Sequence, residues 1–401
     1  MPVFDVAVIG AGAAGMMCAA VAGQRGKRVV LLDHAEKLAE KIRISGGGRC
    51  NFTNRVVTAE NFISANPHFC KSALAGFTPQ DFIAMVDRHG IAWHEKHKGQ
   101  LFCDQSSESI IEMLRAECAA AGVQWMMPCR VNEVTRVADA GGQEFVLETD
   151  QGPVKCHNLV IATGGLAIPQ LGATDFGLKL ARDFGLKVIE PRPALVPLTF
   201  NGEEWRHLVD LAGLAIQAVV STGMGRRAPA FLEDVLFTHK GLSGPGVLQI
   251  SSYWQPGEPI ALDLAPESDM ETLLIDAKAG GRQQLGNFLA SLWPKRLSEQ
   301  WLGDLAGSRI ADLPDRTLRE LAARIKNWKV VPNGTLGYKK AEVMRGGVDT
   351  RGLDQRTMQA KAVPGLCSAP KLRREYRAWA WARKTAGKRW NRVMQRFRSE
   401  E

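Results

Sequence analysis

The chain predicts an α/β fold: a doubly wound, Rossmann-like domain carrying an inserted domain that is β-rich and then helical. Three observations predict it. The apolar run Val6 to Ile9 enters Gly10-x-Gly12-x-x-Gly15 and then a helical pattern; Val29 to Leu32 ends in an acid, Asp33; and Leu159 to Ile161 ends in Ala162-Thr163-Gly164-Gly165. Strand, glycine turn, helix, strand and acid in that order describe the mouth of a dinucleotide site. With 401 residues and 45% hydrophobic content, the chain can fill more than one core.

Each element has its own reason. Gly10 permits the tight turn, Gly12 lets backbone approach a pyrophosphate, Gly15 lets the helix pack on the strand, and the helix N-terminus offers free N–H groups to the phosphates. Asp33, about twenty residues further on, is placed to accept hydrogen bonds from ribose hydroxyls. Next comes Lys41-Ile42-Arg43-Ile44-Ser45-Gly46-Gly47-Gly48-Arg49-Cys50-Asn51-Phe52-Thr53-Asn54. Three successive glycines give backbone N–H groups access to an anionic or planar ligand, and Arg49 can add a charge-assisted contact to phosphate. A β-rich stretch follows, Val131 to Val137 and Phe145 to Glu148, and Val131 joins the expected cofactor contacts.

Pro191, Pro193 and Pro197 are expected to break the chain, after which Ala215 to Ser221 and Pro259 to Leu264 alternate like strands. From about Glu271 to Trp328 the pattern turns helical, with Leu285, Phe288, Leu289 and Leu292 on one face and Leu318, Leu321 and Ile325 on another, all expected in the core. Asn333-Gly334 reads as a turn. The expected organisation is therefore residues 1–190 as the first domain, 191–340 as the insert, 341–366 as the return, and 367–401 as an atypical tail.

Further along the chain the resemblance to a known family accumulates. The Lys41 to Asn54 stretch resembles the signature of the BaiN/RdsA family of FAD-dependent oxidoreductases, a lysine followed by Ser-Gly-Gly-Gly-Arg-Cys-Asn-x-Thr-Asn. Ala162 to Gly165 is similar to the family's later glycine turn. Phe237-Thr238-His239-Lys240-Gly241-Leu242-Ser243-Gly244-Pro245 and Ala341 to Val348 resemble two more of its segments, although Met344 stands where Thr is usual, and Ala39-Glu40 where Gly-Arg is common. The resemblance covers roughly residues 3 to 366. It implies an FAD-binding first domain, with Gly10, Ala11, Gly12, Ala13, Ala14, Gly15, Asp33, Lys41, Ser45, Gly46, Gly47, Gly48, Arg49, Cys50, Asn51, Val131, Ala162, Thr163, Gly164 and Gly165 about the cofactor.

It also implies reduction of a carbon–carbon double bond conjugated to a carbonyl. The substrate read first is a uridine of large-subunit ribosomal RNA, converted to dihydrouridine; the alternative is a small steroid-like enone. No second GxGxxG in a strand–helix setting is present, so NAD(P)H is expected as a transient reductant. Cys50 and His239, each in a glycine-flanked loop, are the candidate proton donors, with Cys103 a weaker third; Arg49 and Lys240 are candidates to hold a substrate phosphate or an enolate.

Composition narrows the classes. The eight cysteines show neither a CxxC nor metal-ligand spacing, so no metal site, no disulfide framework and no dithiol flavoenzyme is expected. The longest uncharged apolar-leaning run, Leu211 to Gly225, is shorter than the roughly 18 residues a membrane helix needs. The N-terminal sequence enters a strand without a basic region, so a cytoplasmic protein is expected. The net charge is +9, of which residues 367–401 supply +8 and the rest +1. Where the family continues with a Gly-Glu-x-x-Asp turn and a Gly-Gly-Tyr-Asn loop over the flavin, this chain shows neither. Three readings of that tail stand open: a frame-shifted end, a basic helix suited to RNA or another acidic surface, and a solvated end without a partner. Under the first, the chain is a flavin- or RNA-binding protein without turnover.

Overall fold

In the computed structural model the chain is described over residues 3–139, 142–223, 225, 228–281 and 283–368. The readings of the tail from residue 369 onward therefore lie outside the described residues. The chain divides into two units, one made of Met1–Pro191 and Gly346–Glu401 and the other of Arg192–Arg345.

The first unit is a mostly parallel sheet. From one edge its strands run Gln124–Met126, β2 (Val29–Leu32), β1 (Val3–Ile9), Val154–Ile161, Gly142–Thr149 and Val131–Asp139, and Leu366–Ser368 pairs parallel with Val154–Ile161. Ile9 stands beside Leu32 on one side and Ile161 on the other, so three strands end together. Val6, Val8 and Leu31 enter one core, whereas Ala7, Ile9, Val30 and Leu32 enter a second on the opposite face. A sheet covered on both faces explains why these strands read as continuous apolar runs without alternation. α1 (Ala13–Gly23) lies in the first core, where Met16 and Cys18 are buried. A small antiparallel sheet, Asn51–Asn54, Gln100–Cys103 and Trp93–Glu95, follows the glycine triplet.

The return reaches past the expected boundary at 366: Cys367 and Ser368 belong to the last parallel strand and are buried. Pro191 and Pro193 also sit inside a strand, Val188–Ala194, where breaks were expected. That strand pairs only with Val343–Val348 in a two-stranded ribbon, so it is an edge strand, the setting in which proline is tolerated.

The second unit is an antiparallel sheet in the order Trp328–Val330, Ile260–Asp263, Ala215–Thr222, Ala230–Thr238, Gly241–Ser243, Leu198–Thr199 and Gly334–Thr335. Along Ala215–Thr222, Ile216, Ala218 and Val220 are buried while Ala215 and Gln217 face water, the period of two expected of a half-buried strand. The helices Met270–Ala279, Leu285–Leu289, Lys295–Leu302 and Asp315–Lys326 share the core of this sheet through Leu274, Leu289, Leu297 and Ile325. Two details differ from the sequence reading. Leu292 is exposed because the helix carrying Leu285 and Leu289 ends at Leu289, and the helical face ends with it. Gly334 does not turn; it pairs with Thr199 at the sheet edge, and Asn333 caps the pairing through an N–H bond to the Thr199 carbonyl.

Candidate functional site

The carboxyl ends of β1, β2 and Val154–Ile161 converge, and the glycine turn is wedged among them. The Gly10 N–H donates to the Leu32 carbonyl at 2.7 Å and the Ala162 N–H to the Ile9 carbonyl at 2.8 Å. Gly10 has φ +108°, and a Cβ there would come within 2.5 Å of the Ala162 oxygen. A Cβ on Gly15 would lie 1.7 Å from the Gly10 oxygen, so only hydrogen lets α1 start this close to the strand it follows. At Gly12, which caps α1, a Cβ would meet nothing within 4 Å. That opening is the approach a pyrophosphate needs at a helix N-terminus.

Asp33 closes the turn from β2. Its Oδ2 accepts from the Ala11 N–H at 2.6 Å and its Oδ1 from the Ala35 N–H at 2.9 Å. A carboxylate has about four lone-pair positions, so capacity remains for ribose hydroxyls. The Asp33 carbonyl also accepts from the Cys129 N–H at 2.7 Å, which brings Val131, two residues further on and buried, into the same neighbourhood. His34 adds a contact that the motif does not announce: Nδ1 lies 3.6 Å from the Asp33 carboxylate and Nε2 is 3.0 Å from the Gly172 carbonyl oxygen.

The second glycine segment joins the first through Lys41. From the short helix Glu40–Ile44 its Nζ donates to the Gly165 carbonyl at 3.3 Å and lies beside Gly164. Burial lowers the Lys41 pKa from its ordinary 10.5. Arg43 anchors the helix by ion pairs to Glu40, at 2.9 Å, and to Glu108. Ser45–Gly48 then forms one tight 3-10 turn with left-handed backbone at Gly46 and Gly47. A Cβ on Gly46 would meet Phe102 at 2.7 Å, while at Gly47 and Gly48 it would meet nothing. The turn is pinned on its protein side, where Ser107 N–H donates to the Gly48 carbonyl and Cys103 N–H to the Arg49 carbonyl. Arg49 is exposed, and Cys50 is fully buried with φ +47°. Asn51 is 3% exposed, yet among the described residues its side-chain Oδ1 has no hydrogen-bond partner.

The resident chemistry fits FAD. Open space over Gly12, Gly47 and Gly48, a ribose-ready carboxylate, a half-buried ammonium and an orphaned buried acceptor on Asn51 are what a dinucleotide with a polar ring system would engage. Thr163 packs against Gly177, where a Cβ would lie 2.3 Å from its Oγ1, and so fixes the neighbouring turn. All eight cysteines are buried and none is in a disulfide, and desolvation pushes the Cys18, Cys118 and Cys156 thiols up to about 12, which leaves them protonated and inert. His239 and Lys240 lie in the second unit, exposed in the turn between Ala230–Thr238 and Gly241–Ser243; the Thr238 hydroxyl braces this turn by donating to the Gly241 carbonyl at 2.9 Å.

A family model described as HI0933-like protein Rossmann domain matches residues 4–370. The chain belongs to this HI0933-like family. A ribosomal RNA dihydrouridine synthase from Escherichia coli (strain K12) is 50% identical over 366 residues, covering 90% of each chain. Another of that name from Haemophilus influenzae (strain ATCC 51907 / DSM 11121 / KW20 / Rd) is 44% identical over 362 residues, 90% of this chain and 89% of its own. A 3-dehydro-bile acid delta(4,6)-reductase from Clostridium scindens (strain ATCC 35704 / DSM 5676 / VPI 13733 / 19) is 27% identical across 94% of this chain and 96% of its own. Among the described residues no helix is long and apolar enough to cross a membrane.

Two substitutions separate the roles of the glycines. Gly15→Ala is expected to lower Tm sharply, because its methyl meets backbone. Gly12→Ala is expected to leave Tm near the parent value but to purify with little flavin, read as the ratio of visible to ultraviolet absorbance; a Gly12→Ala protein with full flavin content contradicts the assignment. Lys41 supplies the pH dependence. Above its lowered pKa the ammonium is neutral and no longer attracts a pyrophosphate, so FAD affinity should fall as pH rises through a value below 10.5. Titrations of apoprotein with FAD across pH should show that fall in the parent and its absence in Lys41→Met.

Proposed function

We propose that this chain is a flavin-dependent ribosomal RNA dihydrouridine synthase, reducing the C5=C6 bond of a uridine in large-subunit RNA at the expense of NAD(P)H. The observation that carries this reading is the 50% identity to the Escherichia coli synthase over nine-tenths of both chains. The cradle supports it, since its glycines, Asp33 and Lys41 suit a dinucleotide flavin. FAD, when bound, supplies the hydride.

The protein's own residues do the rest. The Gly10–Gly15 turn and the α1 N-terminus would hold the pyrophosphate, Asp33 the adenosine ribose, and the Gly46–Gly48 turn with Asn51 the polar edge of the ring. Hydride arrives at C6, the carbon β to the C4 carbonyl; negative charge builds on that oxygen, and C5 takes a proton. Of the two candidate donors, His239 is the one with solvent access, whereas the Cys50 side chain has none. His239 is therefore proposed as the proton donor and Cys50 as a residue that shapes the turn behind the triplet glycines. Lys240, its exposed neighbour, is proposed to face RNA phosphate.

The relative from Clostridium scindens favours a second reading, reduction of a small enone, because the electronic problem is the same. One assay separates them. Full-length holoprotein with NAD(P)H and unmodified ribosomal RNA transcript is expected to yield dihydrouridine, detected by mass spectrometry of nuclease digests, with no turnover of steroid enones. Enone turnover without RNA product overturns the RNA reading. His239→Gln should lose roughly 10²-fold in kcat, the usual worth of a general acid, while keeping its flavin.

A further inference from the structure

Two arginines in the second unit stand together with no acid as partner among the described residues. The ribbon of Val188–Ala194 and Val343–Val348 is aligned by the Glu342 N–H donating to the Leu195 carbonyl at 3.1 Å and the Asp349 N–H to the Lys187 carbonyl at 2.8 Å. Those two bonds put Arg345 opposite the Pro191–Arg192 step, which brings it close to Arg192. Gly346 fixes the spacing, since a Cβ there would lie 2.4 Å from the Glu190 oxygen. Both guanidiniums turn to one neutral atom: Gln255 Oε1 accepts from Arg345 at 3.1 Å and from Arg192 at 3.4 Å. Arg345 also donates to the Ser252 carbonyl at 3.4 Å. Among the described residues neither arginine has a carboxylate partner.

Like charges held close together across a strand pair destabilise it. Burial of Arg345 and the field of Arg192 both lower the Arg345 pKa, in keeping with a cation held where it is poorly compensated. Most other arginines that bond to side chains here find carboxylates, as Arg43, Arg55, Arg115, Arg316, Arg319 and Arg351 do. The arrangement has the form of a fork awaiting a diffuse anion with several acceptor oxygens. Arg192 and Gln255 are exposed and Arg345 half-buried, so the fork is open to a ligand from solvent.

We propose that Arg192 and Arg345, bridged by Gln255, form a subsite for a backbone phosphate of the RNA substrate. This rests on the RNA reading above. The subsite positions and does not touch the reacting carbons, so it governs affinity rather than the rate of bound substrate. Each arginine releases counterions when the phosphate docks, and its loss reduces the salt dependence of binding.

The test uses full-length holoprotein, binding of ribosomal RNA transcript measured across salt concentrations, and steady-state dihydrouridine formation. Arg192→Gln and Arg345→Gln are expected to raise KM for RNA roughly tenfold with kcat unchanged, and to lower the slope of log K against log salt by about 0.7–0.9 each. Flavin content and reduction by NAD(P)H should match the parent. Gln255→Glu is the discriminating variant, because it supplies the missing carboxylate. It is expected to raise Tm yet weaken RNA binding, opposite signs that a purely structural arginine pair would not produce. If the parent forms dihydrouridine and all three variants keep its KM and salt slope, the subsite is overturned while the function stands. If the parent neither binds nor modifies RNA, the function fails and the subsite with it.

Discussion

The contact on which the first unit depends is the approach of Gly15 to the carbonyl of Gly10, so close that a methyl on Gly15 would sit 1.7 Å from the oxygen. It places the start of α1 directly over the end of β1, and from there the other pieces find their positions. Ala11 presents its N–H to Asp33, the Asp33 carbonyl receives Cys129, and Ala162 closes over Ile9. A chain with a side chain at either glycine would have to lift the helix away. The N–H groups that α1 leaves unpaired would then no longer face the opening above Gly12.

Sequence reasoning reached what is local. The turn at Gly10 to Gly15 and the acid at Asp33 follow from backbone geometry within one strand–helix–strand unit, so spacing alone exposes them. The glycine triplet was visible as a ligand loop, yet its attachment to the other half of the cradle was not, because the Lys41 ammonium meets the carbonyl of Gly165 far along the chain. His34, Ser107 and Cys129 escaped for the same reason: their contributions are contacts across the fold, and their sequence neighbourhoods carry no motif. The misreadings have similar causes. Leu292 kept the helical period after the helix had ended, and a turn-forming Asn-Gly pair serves instead as a strand edge because Thr199 pairs with it. The paired arginines were hidden entirely, since Arg192 and Arg345 are set side by side only by the ribbon.

Electrostatics links the units through a common logic although each is built on its own sheet. In both, cations are held partly out of water with neutral carbonyl or amide partners: Lys41 at the Gly165 carbonyl, Arg345 at Ser252 and Gln255. Such groups cost free energy in the free protein and return it when an anion arrives. The body of the chain is close to neutral, with 40 bases and 39 acids in residues 1–366, so its affinity for anions comes from placement of a few charges and not from bulk charge. A flavin dinucleotide and an RNA backbone are both ligands that such placement can serve.

In the proposed reading the cradle recognises a dinucleotide at two points, the pyrophosphate at the α1 N-terminus and the adenosine ribose at Asp33. Equilibrium titration of apoprotein with FAD and with FMN tests it most directly, because FMN offers the same ring without pyrophosphate bridge or adenosine. FAD is expected to bind at least roughly a hundredfold tighter than FMN, the worth of two charge-assisted contacts. Equal affinity for the two flavins would contradict it.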